Sequence, residues 1–173
     1  MNVQEMKKLA CEAIDKNAEK IIALGNSIFK EPELGYKEFK TAEKVKAHLD
    51  KLGLEYKDQV AVTGILTPFK GRDHKAHLAL MGELDAVLVA DHPCADPVTG
   101  AAHACGHFAQ AAAVVGVAYA LKESGVMEHL DGDITLMHVP AEELVQETVS
   151  CNVYTCSSVY LEIYFNLIGL LPC

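Results

Sequence analysis

Two short apolar runs separated by an alanine- and valine-rich stretch constrain this chain more than any other feature. His77-Leu-Ala-Leu-Met81 and Asp133-Ile-Thr-Leu-Met-His-Val139 each read as a buried strand, and residues 105–124 read as a helix that Gly125 ends. Such runs, apolar on both faces, suit strands covered on both sides by helices, usually in a parallel sheet. Strand, helix and strand in this order make a βαβ unit, with a right-handed crossover and parallel strands. The expected fold is therefore α/β, built from βαβ units with a mainly parallel sheet covered by helices. In open sheets of this kind a ligand site forms beyond the carboxyl ends of the strands. Asp85 stands at one such end, and Glu142 and Glu143 stand at the other, just after Pro140. His103, Cys105 and His107 lie where the connecting helix begins. Three separate clusters are thus sent to one sheet edge.

The upstream sequence supplies cover. Val3, Met6, Ala10, Ala13, Ile14, Ile21 and Ile28 recur at helical spacing, which predicts an amphipathic helix over 3–29 that Pro32 ends. Cys11, among Leu9, Ala13 and Ile14, is expected to pack inside. A second helix from about Lys37 places Phe39, Ala42, Val45, Leu49 and Leu52 on one face, with Gly53 as its stop. Residues 54–70 read as short strands around Gly64.

Composition narrows the function. A chain of 173 residues that is 50% hydrophobic is not disordered. A formal net charge of −9 without any basic stripe excludes a nucleic-acid partner. The charge is uneven: all 15 Lys and Arg residues lie at or before Lys122. Residues 1–122 carry 16 acids and residues 123–173 carry 8, so the two stretches are near −1 and −8. The longest apolar stretch, 160–172, is broken by Glu162 and Asn166 and is shorter than the roughly 20 residues that span a bilayer. No apolar signal segment follows the amino terminus. The expectation is a cytoplasmic protein with no membrane partner, its six cysteines reduced.

The chemistry concentrates in His103-Ala-Cys105-Gly-His107 and Pro140-Ala-Glu142-Glu143. A thiolate and an imidazole two residues apart suit a borderline metal such as zinc, and a helix amino terminus favours thiolate over thiol. Gly106 allows a tight backbone between them. Of two carboxylates at a strand end, one can hold a metal while the other takes a proton from water. Asp85 can orient a ligand by hydrogen bonding, with Glu83 a weaker candidate on the same side. Cys105 as a nucleophile with His107 as base is disfavoured, because residues two apart at a helix start rarely align for proton transfer.

Taken together, Glu33-Leu-Gly-Tyr-Lys-Glu38 after Pro32, Gly-Glu-Leu-Asp85-Ala, His-Ala-Cys105-Gly-His107 and Pro-Ala-Glu142-Glu143 resemble the metallopeptidase M20 family. The likeness is greatest to its amidohydrolase branch, which hydrolyses N-acyl amino acids, hippurate, auxin conjugates and aminobenzoyl-glutamate. The resemblance covers about residues 1–147 and implies a zinc-peptidase-like catalytic domain with a site for two divalent ions, Zn or Mn. It makes Cys105, His107 and Glu143 metal ligands, Glu142 the general base and Asp85 a supporting catalytic residue. It implies that a metal-bound hydroxide cleaves the amide bond of a small N-acyl or N-aroyl amino acid or small peptide.

The departures from that pattern are equally specific. Phe108 stands where the branch carries Asp or Asn. No histidine follows His138, whereas the family uses two further histidine ligands downstream. The family's lid and dimerisation domain is missing, and with it the homodimer interface. The expected organisation is the first part of a catalytic domain over 1–147, followed by a divergent apolar tail over 148–173, the whole being a truncated form. The alternative is a non-enzymatic, decayed fragment that binds at most one metal ion weakly.

Overall fold

The structure is a computed structural model that describes residues 1–144. The expected tail at 148–173, the boundary at 147 and the cysteines at 151, 156 and 173 lie outside the described residues. Helix α1 (Val3–Phe29) opens on a capping box in which Asn2 and Glu5 satisfy each other's backbone N–H groups. Helix α2 (Phe39–Lys51) follows, then strands β1 (Lys57–Val60), β2 (Gly64–Phe69) and β3 (His77–Glu83). A two-residue pair, β4 (Val87–Leu88) and β5 (Ala101–Ala102), forms a small ribbon within the loop after β3. Helix α3 (His107–Ser124), a 3₁₀ turn (Val126–His129) and β6 (Asp133–Val139) complete the order.

The main sheet runs β1-β2-β6-β3. β3 and β6 pair in parallel from His77 opposite Asp133 to Glu83 opposite Val139, with α3 as their crossover. The α/β class and the βαβ unit stand as the sequence indicates. The sheet as a whole is mixed where a mainly parallel one was expected, since β1–β2 and β2–β6 are antiparallel. The tight turn at 61–63 between β1 and β2 leaves no room for a crossover, so that pair must be antiparallel.

Helix α3 is apolar almost all round because it lies between α1 and the sheet. Leu24 and Ile28 of α1, Val115 and Ala118 of α3, and Leu136 of β6 share one buried cluster with Val45 and Leu49 of α2. Three expectations of burial need correction. Phe39 and Cys11 are exposed, so the buried face of α2 starts at Thr41. β3 is not covered either: Leu78, Leu80 and Met81 are 64%, 41% and 51% exposed. The reason is topological, for β3 is an edge strand among the described residues, paired to β6 alone. No helix among the described residues is long and apolar enough to cross a membrane.

Candidate metal centre

The carboxyl ends of β3 and β6 lie side by side because the two strands are parallel and in register through Glu83 and Val139. The chain leaving β3 carries Asp85, and the chain leaving β6 turns through Pro140 and Ala141 to Glu142 and Glu143. Ala141 has φ 58, a left-handed conformation that costs an alanine roughly 1–2 kcal/mol. Gly106, at φ 97, caps the start of α3 and brings Cys105 and His107 to the same edge.

These turns bring the expected residues together. One ligand atom from each of Cys105, His107 and Glu143 lies within 4.8 Å of the other two, and the same holds for Glu83, His107 and Glu142. His107 is the shared member and is buried. Its Nδ1–H donates to the backbone carbonyl of Asp85 at 3.0 Å, with the Asp85 carboxylate 3.2 Å away. That leaves Nε2 as the ligand atom, 2.9 Å from Glu83 and 3.8 Å from Glu142. Asp85 is itself fully buried, and its Oδ2 accepts the backbone N–H of Glu143 at 2.8 Å.

Charge is badly balanced in this cluster. The ion pairs of Glu83, Asp85 and Glu142 all go to the one imidazole. Burial works against the charged form of His107, but the carboxylates of Asp85 and Glu83 outweigh it and push its pKa up to about 9. Burial, then the negative charges of Glu83 and Glu143, holds the Glu142 carboxyl above the usual range. The Cys105 thiol is pushed up to about 12 by desolvation and then by its hydrogen bond to the Glu143 carboxylate. This reverses the expectation of a helix-stabilised thiolate: α3 starts only at His107, and desolvation together with the neighbouring carboxylates outweighs the helix dipole. A soft sulfur, an imidazole and carboxylates, all short of positive charge, fit a divalent cation. The buried Oδ1 of Asp85, which accepts no hydrogen bond from the described residues, fits the same reading.

Other candidates fall outside this centre. His138 is buried in β6 with Nε2 on the Ala111 carbonyl, and His48 meets the Tyr119 hydroxyl through Nδ1. His103 is buried beside Phe108, its ring centroid 5.8 Å away, and burial lowers its pKa to about 4. Phe108 also packs edge-on against Phe29 of α1, so it serves the helix contact in place of a polar contact at the site. Sequence reasoning underrated Glu83, although its spacing of two from Asp85 already set both on one side. It also gave no role to Glu38, a buried carboxylate that accepts from the Thr63 hydroxyl and the Ala141 N–H, each at 2.8 Å.

The comparisons with known proteins fall on the same part of the chain. Residues 79–153 match the model of peptidase family M20/M25/M40, a span that contains most of β3, all of α3 and β6, and every candidate ligand. The match runs past residue 147, where the sequence reading ends the catalytic part. The chain is 37% identical over 126 residues to IAA-amino acid hydrolase ILR1-like 5 of Arabidopsis thaliana, covering 71% of this chain and 28% of that protein. It is 32% identical over 126 residues to N-acetyl-L-cysteine deacetylase of Bacillus subtilis, covering 71% of this chain and 30% of the relative. The matched part therefore spans less than a third of either relative. Among solved structures, the Bacillus subtilis YXEP protein, described as a dinuclear metal binding peptidase from the M20 family, superposes with a TM-score of 0.69 at 25% identity. That superposition covers 86% of this chain and 40% of the YXEP chain. Over residues 79–153 the chain matches the M20 family, and it spans only a portion of the longer relatives it resembles.

Proposed function

We propose that this chain carries the catalytic edge of a metal-dependent amidohydrolase that cleaves the amide bond of N-acyl or N-aroyl amino acids or small peptides. The observation that carries the reading is the meeting of Cys105, His107 and Glu143 at ligand distance from one another, with Glu142 beside the same imidazole. Relatives named as hydrolases of amino-acid conjugates and as deacetylases support the substrate class. An apolar cleft of about 350 Å³ opens beside Glu143, walled by Leu34, Ala86, Val87 and Leu88, and suits the acyl or aroyl group. The organisation we propose is a catalytic part over 1–147 and a separate tail over 148–173. A cytoplasmic setting suits the thiol of Cys105, which must stay reduced to serve as a ligand.

In this mechanism Cys105, His107 and Glu143 would hold a divalent ion, Zn or Mn, and Glu83 would be near enough to share in binding a second. When bound, such an ion lowers the pKa of water toward neutrality and polarises an amide carbonyl. The other roles belong to the chain itself. Asp85 fixes the position of His107 so that Nε2 is free to ligate, and it ties down the backbone of Glu143. Glu142, with its raised pKa, accepts a proton from the attacking water and returns it to the leaving amine. The products are a carboxylic acid and an amino acid.

The test is an assay of the reduced, full-length chain on N-acetyl and N-benzoyl amino acids with added Zn²⁺ or Mn²⁺. Turnover that a chelator abolishes supports the reading; a folded, metal-loaded chain without turnover overturns it. Phe108, which packs against Phe29 and His103 where the resemblance implies a polar residue, favours a second reading, a non-enzymatic fragment holding one ion weakly. Calorimetry separates the two: the fragment binds one ion per chain, lost in Cys105→Ala, and two ions per chain contradict it.

A further inference from the structure

Glu38 is 0% exposed and forms no ion pair among the described residues. Burying a carboxylate is costly unless it is well hydrogen-bonded, and both partners of Glu38 described above are neutral donors. One of them, the Ala141 N–H, lies 103 residues away in sequence and belongs to the turn that presents Glu142 and Glu143. Ala141 holds a left-handed φ of 58 directly after Pro140. An alanine does not choose that conformation by itself, so the turn depends on what holds it from outside.

The segment around Glu38 makes further contact with this edge. A Cβ added at Gly35 would lie 3.0 Å from the Ala141 Cα and 3.1 Å from the Leu144 Cβ. The Ala86 N–H donates to the Glu33 carbonyl at 2.8 Å, and Leu34 bridges Ala86 in parallel. One stretch, residues 33–38, therefore braces the loop after β3 and the turn after β6. Those two loops carry Asp85 and the Glu142–Glu143 pair.

We infer that Glu38 is a positioning residue: by accepting the Ala141 N–H it sets the turn that delivers Glu142 and Glu143 to the metal centre. The inference rests on the metal-centre reading above. Glu38 touches neither ion nor substrate, and its effect passes through the backbone of Ala141. Gln at this position keeps both bonds, because its amide oxygen accepts from Ala141 while its amide N–H donates to the Thr63 hydroxyl. Ala loses both.

The experiment is a Co²⁺ titration of the reduced full-length chain, read by d–d absorption, which reports the ligand geometry, and by affinity against a competing chelator. Glu38→Gln binds within about threefold of the parent, while Glu38→Ala binds roughly 10–100-fold more weakly, as loss of an outer support does. The Glu38→Ala spectrum changes in the direction that Glu143→Ala produces. Gly35→Ala keeps Glu38 and presses on the same turn, so it shifts the spectrum the same way even where Glu38→Ala does not fold. An unchanged spectrum and affinity in Gly35→Ala and in folded Glu38→Ala overturn the inference, with the metal centre left standing. A parent chain that binds no Co²⁺ overturns the metal-centre reading and this inference with it.

Discussion

The carboxylate of Asp85 accepts the backbone N–H of Glu143 at 2.8 Å, tying the loop after one strand to the turn after its parallel neighbour. The Asp85 backbone carbonyl also holds the Nδ1 side of His107, with the carboxylate close by, so one buried residue fixes two of the three candidate ligands. Asp85→Ala leaves the Glu143 N–H without its acceptor. We expect a loss of about 1–3 kcal/mol in urea unfolding of the chelator-treated protein. The His107 imidazole, now held near 9, titrates lower in an NMR pH series of the same variant.

Acid weakens this protein in two stages. His138 and His103 are buried in the neutral form and have their pKa lowered from 6.5 to about 4, chiefly by desolvation. The unfolded chain therefore binds more protons between about 6.5 and about 4, and the stability these groups contribute is lost as pH falls through that window. Asp133 adds a second loss at lower pH. The hydrogen bond from His74, then those from the Gly71 N–H and Lys70, holds its carboxyl far below the usual range. Its contribution is present above the ordinary aspartate pKa and is lost below it. Thermal unfolding against pH checks both stages: His138→Gln flattens the first, and Asp133→Asn removes part of the second.

Glu142→Gln separates chemistry from binding. Removing a general base slows hydrolysis by about 10²–10⁴-fold, while ion binding through Cys105, His107 and Glu143 persists. The raised pKa of the Glu142 carboxyl belongs to the ion-free chain, and a bound cation beside Glu83 and Glu143 lowers it, so the acid limb of kcat/KM in the parent falls below the pH at which Glu142 titrates without metal. A pH–rate profile of the parent and the variant measures both effects.

Much of this arrangement was legible in the sequence. The periodicity of α1, the run of β6 and the Gly125 stop of α3 each express a local rule, and each element formed where its pattern put it. The parallel β3–β6 pair followed from the helix between the strands. What was not legible depends on contacts distant in sequence. β3 is as apolar as β6, but its exposure is set by its place in the strand order, and composition does not encode that order. The thiol of Cys105 is raised by desolvation and then by Glu143, both set by the folded chain and neither by the helix beside it. Glu38 stood in the Glu33–Glu38 motif without a role because its partners, Thr63 and Ala141, come to it only in the folded chain.

The edge of β3, unpaired among the described residues, predicts how the chain behaves in solution. An edge strand with exposed Leu78, Leu80 and Met81 offers unpaired backbone groups to other strands. A lysine at Leu80 places a charge on that edge. Light scattering against protein concentration rises less steeply in Leu80→Lys than in the parent, with little change in the unfolding midpoint.

The most direct test of the central claim is the thiolate-to-cobalt charge-transfer absorption of the reduced full-length chain on Co²⁺ titration. The account predicts that the band appears and saturates in the parent, is lost in Cys105→Ser, and needs more Co²⁺ in His107→Ala and Glu143→Ala. A band that survives Cys105→Ser, or a folded parent that shows none, contradicts it.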